Sequence, residues 1–165
     1  MAQAFPVLKL PDAPETIAFR AVETLLQSDP LLKVTMKSFR SWSGAPEDIL
    51  DPTIQTCPYV RISPKAGAST KETELQHRVI LQVGIQVAVA GSNRDQLFNL
   101  WNAVRAALYP LTSARETTRN NLGTNAAISK AIITQNGFGL NVTEQGLRML
   151  IAQGQLDLTM LVMTP

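Results

Sequence analysis

At 165 residues and 18.0 kDa the chain has the length of one domain, enough to bury about 70% of its unfolded surface. A hydrophobic content of 45% excludes a disordered chain, and no run reaches the roughly 20 apolar residues of a membrane span. Charge is scarce, 17% against a usual ~25%, and nearly balanced at +2, with 15 Thr and 11 Gln in its place.

Residues 1–13 read as an extended arm, because Pro6, Pro11 and Pro14 prevent regular structure there. The remainder, 14–165, reads as a single domain. Asp12 is the expected N-cap of a helix with Pro14 in its first turn. Ile17, Ala18, Ala21, Val22, Leu25 and Leu26 form its apolar stripe, and Ser28-Asp29-Pro30 ends it. Leu32, Val34 and Met36 alternate with Lys33, Thr35 and Lys37, which predicts a half-buried strand with a bulge or end near Ser38-Phe39. Residues 41–57 are irregular, with a short helical turn at 46–50. The segment from Pro58 to Pro64 predicts a short strand bracketed by prolines, which suits an edge strand or a strand terminus.

Residues 65–73 are small and polar, and read as a flexible linker. The odd positions from Leu75 to Val89 are then apolar except His77, with Gln76, Arg78, Gln82 and Gln86 opposite. This period of two predicts a fifteen-residue strand. At ~3.3 Å per residue it reaches roughly 50 Å, longer than the ~40 Å diameter of a compact domain of this size. It must therefore bend, with Gly84 as the candidate, or project. Ser92 with Asp95 resembles a capping box, and Leu97, Trp101, Val104 and Leu108, flanked by Phe98 and Leu100, predict a helix that Pro110 ends. Residues 111–125 read as a long polar loop. A strand from Ala127 to Thr134 and a hairpin at Asn136-Gly137 follow. A second long strand runs from about Leu147 to Val162, again with Gln on its polar face. The expected fold is α/β (α+β): a mainly antiparallel, twisted sheet with two long strands, two helices on one face and protruding loops at 65–73 and 111–125.

Reactive side chains do not converge in this pattern. His77 is the only histidine, and without a partner or further ligands it reads as a packed structural residue. Cys57, the single cysteine, can form neither an internal disulfide nor a Cys-rich zinc site, and no neighbour lowers its pKa. Gly137-Phe138-Gly139 opens no helix and reads as a turn rather than a dinucleotide fingerprint. Glu47, Asp48 and Asp51 lack the spacing of an EF-hand and read as a solvated acidic loop. Trp42, Phe39 and Tyr59 could stack bases, but the ordinary reading places them against the core. The sequence thus predicts no enzyme: no catalytic residue, no cofactor site and no metal site.

Residues 1–60 carry five basic and seven acidic side chains, and 61–165 carry ten and six, too even a division to indicate nucleic-acid binding. The first residues show no basic leader before an apolar core, so a signal peptide is not expected, and the sequon Asn141-Val142-Thr143 reads as accidental. Six cations form the candidate assembly interface: Lys65, Lys71, Arg115 and Arg119 on the two loops, Arg61 and Arg78 on strands. Each alone reads as a solubilising charge; together, on protruding segments, they suggest docking. A weakly charged surface rich in Gln and Thr likewise suggests that much of it meets other subunits. A stable monomer at micromolar concentration would count against that.

The element order matters here. A helix precedes "LLKVTMK" and "PYVRISP"; then come a linker, "LQHRVILQVGIQVAVAG", the helix "SNRDQLFNLWNAVRAALYP", a loop, a hairpin and "GQLDLTMLV". From Pro14 to Val162 this arrangement resembles the tail terminator (tail completion) proteins of tailed bacteriophages, whose fold is shared by related neck and head–tail joining proteins. The resemblance implies a structural virion protein of the tail or neck, assembled in the host cytoplasm. It implies a homo-oligomeric ring, usually of six subunits, that caps the tail tube, stops its polymerisation and joins the tail to the head connector. It further implies tail tube protein and a connector or neck protein as partners. DNA would pass through the lumen without sequence-specific binding, and no membrane would be involved. The long strands would supply the ring body and intersubunit pairing, the loops 65–73 and 111–125 the contacts, and the arm 1–13 a reach to an adjacent subunit. Two other classes compete: a small ligand- or nucleic-acid-binding module, marked by salt-dependent DNA binding, and an enzyme using His77 or the carboxylates of Glu47, Asp48 and Asp51, marked by a bound metal.

Overall fold

The computed structural model describes residues 12–41, 53–112, 121–123, 126–142 and 148–163. The elements run α1 (Pro14–Ser28), α2 (Pro30–Thr35), β1 (Ser38–Ser41), a 3-10 turn (Ile54–Thr56), β2 (Tyr59–Lys71), β3 (Gln76–Ala90), α3 (Arg94–Ala107), α4 (Tyr109–Thr112), β4 (Asn121–Gly123), β5 (Ala126–Val142) and β6 (Arg148–Met163). They form a mixed α+β fold built on one six-stranded sheet of order β1-β2-β3-β6-β5-β4. Every neighbouring pair is antiparallel except β1 with β2.

The helical stripes read from the sequence become one side of the core. Ala18, Val22 and Leu26 of α1 and Leu97, Leu100, Trp101 and Val104 of α3 are buried against Val60, Ile62, Val83, Val87, Leu156 and Leu158 of the sheet. The caps differ by one residue from expectation. Ala13 occupies the N-cap of α1 and supplies no side-chain bond, while Asp12 pairs with Arg20 instead. Asn93, not Ser92, caps α3: its Oδ1 accepts from the Gln96 N–H at 3.1 Å. Gly91 ahead of it takes φ +82, a left-handed conformation that disfavours a Cβ, and its N–H donates to the Arg148 carbonyl at 2.7 Å. Phe98 lies off the buried stripe, 42% exposed, edge-on to Phe138 with ring centroids 5.0 Å apart. Helix α3 ends at Ala107, and Pro110 falls inside the four-residue α4.

Four sequence expectations fail, each for a physical reason. The strand expected over Leu32–Met36 is the helix α2. Asp29 ends α1 and also caps α2, accepting from the Leu32 N–H at 2.9 Å, with Pro30 at the first helical position. A stop signal was also a start signal, and Val34 is 80% exposed. The linker expected at 65–73 is strand as far as Lys71, because each residue from Ala66 to Lys71 pairs with one of β3. A partner strand supplies the ladder whatever the local propensity. The hairpin at Asn136-Gly137 is instead a bulge within β5: Gln135 faces Gly154 and Gly137 faces Gln153, leaving Asn136 as the extra residue. Gly137-Phe138-Gly139 therefore lies in a strand, not a turn. Within the 111–125 loop, Leu111 and Thr112 are helical and Asn121–Gly123 is a strand; 113–120 and 124–125 lie outside the described residues. So do 1–11 of the arm, the turn at 46–50 and Thr143 of the sequon.

The two long strands, β3 and β6, lie in one mainly antiparallel sheet as expected, and there they are neighbours, paired without a shift from Gln76–Met163 to Ala90–Met149. Gly84 therefore introduces no break in that ladder. The length mismatch is met by projection: from Pro64 to Lys71 every residue of β2 is exposed, whichever face it points to.

Candidate functional site

Among the described residues, the helices cover one face of the sheet and most of the other face is open. Alternation decides which residues it presents. Arg61 stands beside Gln86 and Gln86 beside Gln153; Ser63 stands beside Gly84 and Gly84 beside Gln155. One end of this face is closed by a small second cluster, in which Cys57, Tyr59, Ala88 and Met149 are buried together. Next to it lies a shallow depression of ≈ 220 Å³, lined by Arg61, Ser63, Lys65, Gly84, Gln86 and Gln153.

Lys65 reaches this depression through an irregularity. The β2–β3 register shifts between Pro64 and Ala66, so Lys65 is an additional residue on its strand. A bulge re-aims a side chain without ending the pairing. The lysine stem then lies across Gly84, where a Cβ would come within 2.6 Å of Lys65 Cε. The glycine thus leaves room for the lysine to cross the sheet surface.

Of the six cations singled out from the sequence, the fold brings Arg61 and Lys65 together at the depression. Arg78 shares their face farther along β3, where its Nε lies 3.2 Å from Glu72 Oε1. Lys71, in register with His77, has the opposite parity and points to the helical side. Arg115 and Arg119 lie outside the described residues, as do Trp42, Glu47, Asp48 and Asp51. The sequence missed Lys130, in register with Thr159 on the open face, and the meeting of Ser63, Gln86 and Gln153. Their signal was the polar alternation itself, which shows a face but not its neighbours.

The other reactive groups are placed apart. Cys57 is buried 3.9 Å from Met149 Sδ, and that burial pushes its thiol pKa up despite the nearby Lys37 ammonium. His77 is half-buried between Lys71 and Val162 in the sheet register. Phe39 packs on the helix-side core and Tyr59 in the cluster on the opposite face, so they cannot share a stacking surface. Among the described residues no three His, Cys, Asp or Glu side chains are placed to hold a metal ion. No described helix is long and apolar enough to cross a membrane.

The sheet also has two incomplete edges. β1 pairs with β2 only over Tyr59–Ile62, and β4 pairs with β5 only at Ala126 and Ala127. Among the described residues, the outer sides of Pro64–Lys71 and Lys130–Val142 have no strand partner. The two short strands thus cover diagonally opposite corners.

A scan against family models finds no match, and neither does a search by sequence among curated proteins. Among solved structures, the fold is similar to that of a chain in the virion of a native gene transfer agent (GTA) particle. The TM-score is 0.51 at 14% identity, with 86% of this chain and 93% of that chain covered. The likeness is one of fold.

Proposed function

We propose that this chain is a structural virion protein, a ring-forming subunit of the tail terminator kind, and not an enzyme. The observation that carries the reading is the pair of diagonally placed open edges. Unpaired strand edges are templates for further strands, and single-chain proteins usually blunt them. Pro64, Lys65 and Lys71 flank the open stretch of β2, but its middle, Ala66-Gly67-Ala68-Ser69-Thr70, carries neither charge nor proline. β2 and β5 run antiparallel to each other across the sheet, so β5 of one copy laid on β2 of the next continues the antiparallel order. Such a contact joins two different surfaces, and it generates a ring when the rotation closes. β1 and β4 block alignment at equal height, so neighbours meet with a stagger, as strands do in any closed sheet.

The fold likeness to a virion chain supports the reading, as does the resemblance to tail terminators, from which the expected number of six subunits comes. In that role a closed ring occupies the end of the tail tube and offers the next layer no equivalent surface. The same ring presents its other side to a head connector or neck protein, and DNA passes through its lumen. The test is native mass and electron microscopy of the purified chain, alone and with tube protein. Rings that fix tube length are expected. A monomer that forms no ring and leaves tube length unchanged would reject the reading. Ala68→Glu, which puts a charge on the open edge, is expected to reduce assembly while leaving the monomer folded.

A further inference from the structure

We infer that the open face of the sheet binds phosphate groups of a nucleic-acid backbone, seated in the depression between Arg61 and Lys65. The inference does not depend on ring formation. It rests on a separation of charge that composition conceals. Among the described residues, charge is unequally shared between the two sides of the sheet. The open face carries Arg61, Lys65, Arg78 and Lys130; Arg78 is paired with Glu72, and the one carboxylate on the strands of this face is Asp157. That carboxylate accepts from Gln155 Nε2 at 2.7 Å and keeps its charge, so Arg61, Lys65 and Lys130 outnumber it three to one. Among the described residues, no carboxylate lies within ion-pair distance of Arg61, Lys65 or Lys130. The helical side mixes both signs on the same surface, with Glu15, Arg20 and Glu23 on a single helix.

The chemistry of the depression fits a phosphate. Arg61 offers a planar fork of donors and Lys65 a point charge, the two side chains that recognise phosphate oxygens best. Ser63 contributes a hydroxyl, and Gln86 and Gln153 contribute amide donors from two further strands. No acidic side chain lines it. Arg61 and the bulged Lys65, whose stem lies over Gly84, converge on the one depression, and Arg78 and Lys130 add cations farther along the same face, beyond Asp157 and Ile132. An extended polyanion uses such a surface better than a single carboxylate does. No aromatic side chain is exposed on this face among the described residues, so the binding it supports reads backbone charge and not base sequence.

The test is fluorescence anisotropy of the full chain with a labelled DNA duplex, from about 50 mM to about 200 mM salt. Binding is expected, with log K falling linearly against log salt and equal affinity for unrelated sequences. Arg61→Gln and Lys65→Gln should each weaken binding roughly 5- to 10-fold and reduce the salt slope by about one, whereas Arg61→Lys retains the slope. Lys33→Gln, on α2, should change neither. Circular dichroism of each variant checks that it folds. Absence of duplex binding at low salt would overturn the inference, and so would an unchanged slope in both Gln variants. If inorganic phosphate alone binds and duplex does not, the pocket takes a free anion and the nucleic-acid source is wrong. If Arg61→Gln alters native mass while duplex binding is unchanged, the residue meets another protein subunit and the inference likewise fails.

Discussion

Gly154 and Gly84 stand on adjacent long strands one row apart, and they show how differently the two faces of this sheet are built. A Cβ at Gly154 would collide with the Trp101 ring and come within 2.6 Å of the Thr134 carbonyl oxygen. Neither can move without displacing α3 or β5. A Cβ at Gly84 would meet only the stem of Lys65, which can swing into solvent. The covered face is a jigsaw in which volume is fixed. The open face mixes long polar side chains with exposed apolar ones such as Ile132 and Met163, and its side chains are not locked in shape by packing. The first face holds the domain together, and the second is left for something outside it.

The comparison can be broken by mutation, beginning with its strongest side. Trp101→Ala removes the indole that closes α3 over the sheet, and should cost about 3–5 kcal/mol in urea denaturation. Gly154→Ala should cost about 1–3 kcal/mol by overpacking. Gly84→Ala should be neutral or slightly stabilising by the same measurement, since a glycine in a strand is itself unfavourable. If the two glycine variants lose equal stability, the distinction between the faces is wrong. Asn93→Ala should cost about 1 kcal/mol through loss of the α3 cap, and Ser92→Ala close to nothing. Arg61→Gln on the open face should stay within about 0.5 kcal/mol of the parent, even where it weakens DNA binding.

Cys57 sharpens the comparison from the end of the open face that is closed. Its folded-state pKa is raised above the ordinary 9.0 by burial, so the folded chain holds the thiol proton more tightly than the unfolded chain. That contribution to stability is present below the ordinary value and is lost as pH rises from there through the raised folded-state value. Stability should therefore decline as pH rises above about 9, and Cys57→Ala should flatten the decline. Alkylation of the thiol by iodoacetamide should be slow in the native chain and fast in urea, whereas rapid native labelling would mean that the cluster around Met149 is open.

Local period is a property of neighbours along the chain, and so much of the covered face was legible. The alternation from Val79 to Val89 and from Ala152 to Met160 marked two strands, and the stripes of Ala18, Val22 and Leu26 and of Leu97, Trp101 and Val104 marked two helices. The sequence by itself determined that these elements share one core, because each has a single apolar side to bury. It also determined that Gln and Thr crowd the opposite side. What it left undecided lay wherever a distant partner overrides local preference. The small residues from Ala66 to Lys71 are strand only because β3 lies alongside, and Asn136 is a bulge only because β6 continues past it. Asp29-Pro30 marked a boundary equally well whether a strand or a second helix followed. The open-face depression was out of reach for the same reason. Arg61, Gln86 and Gln153 are remote in the chain, and only register makes them neighbours. A net charge of +2 sums over both faces, whereas the field that a polyanion meets belongs to one of them, and assigning charges to a face required the tertiary structure.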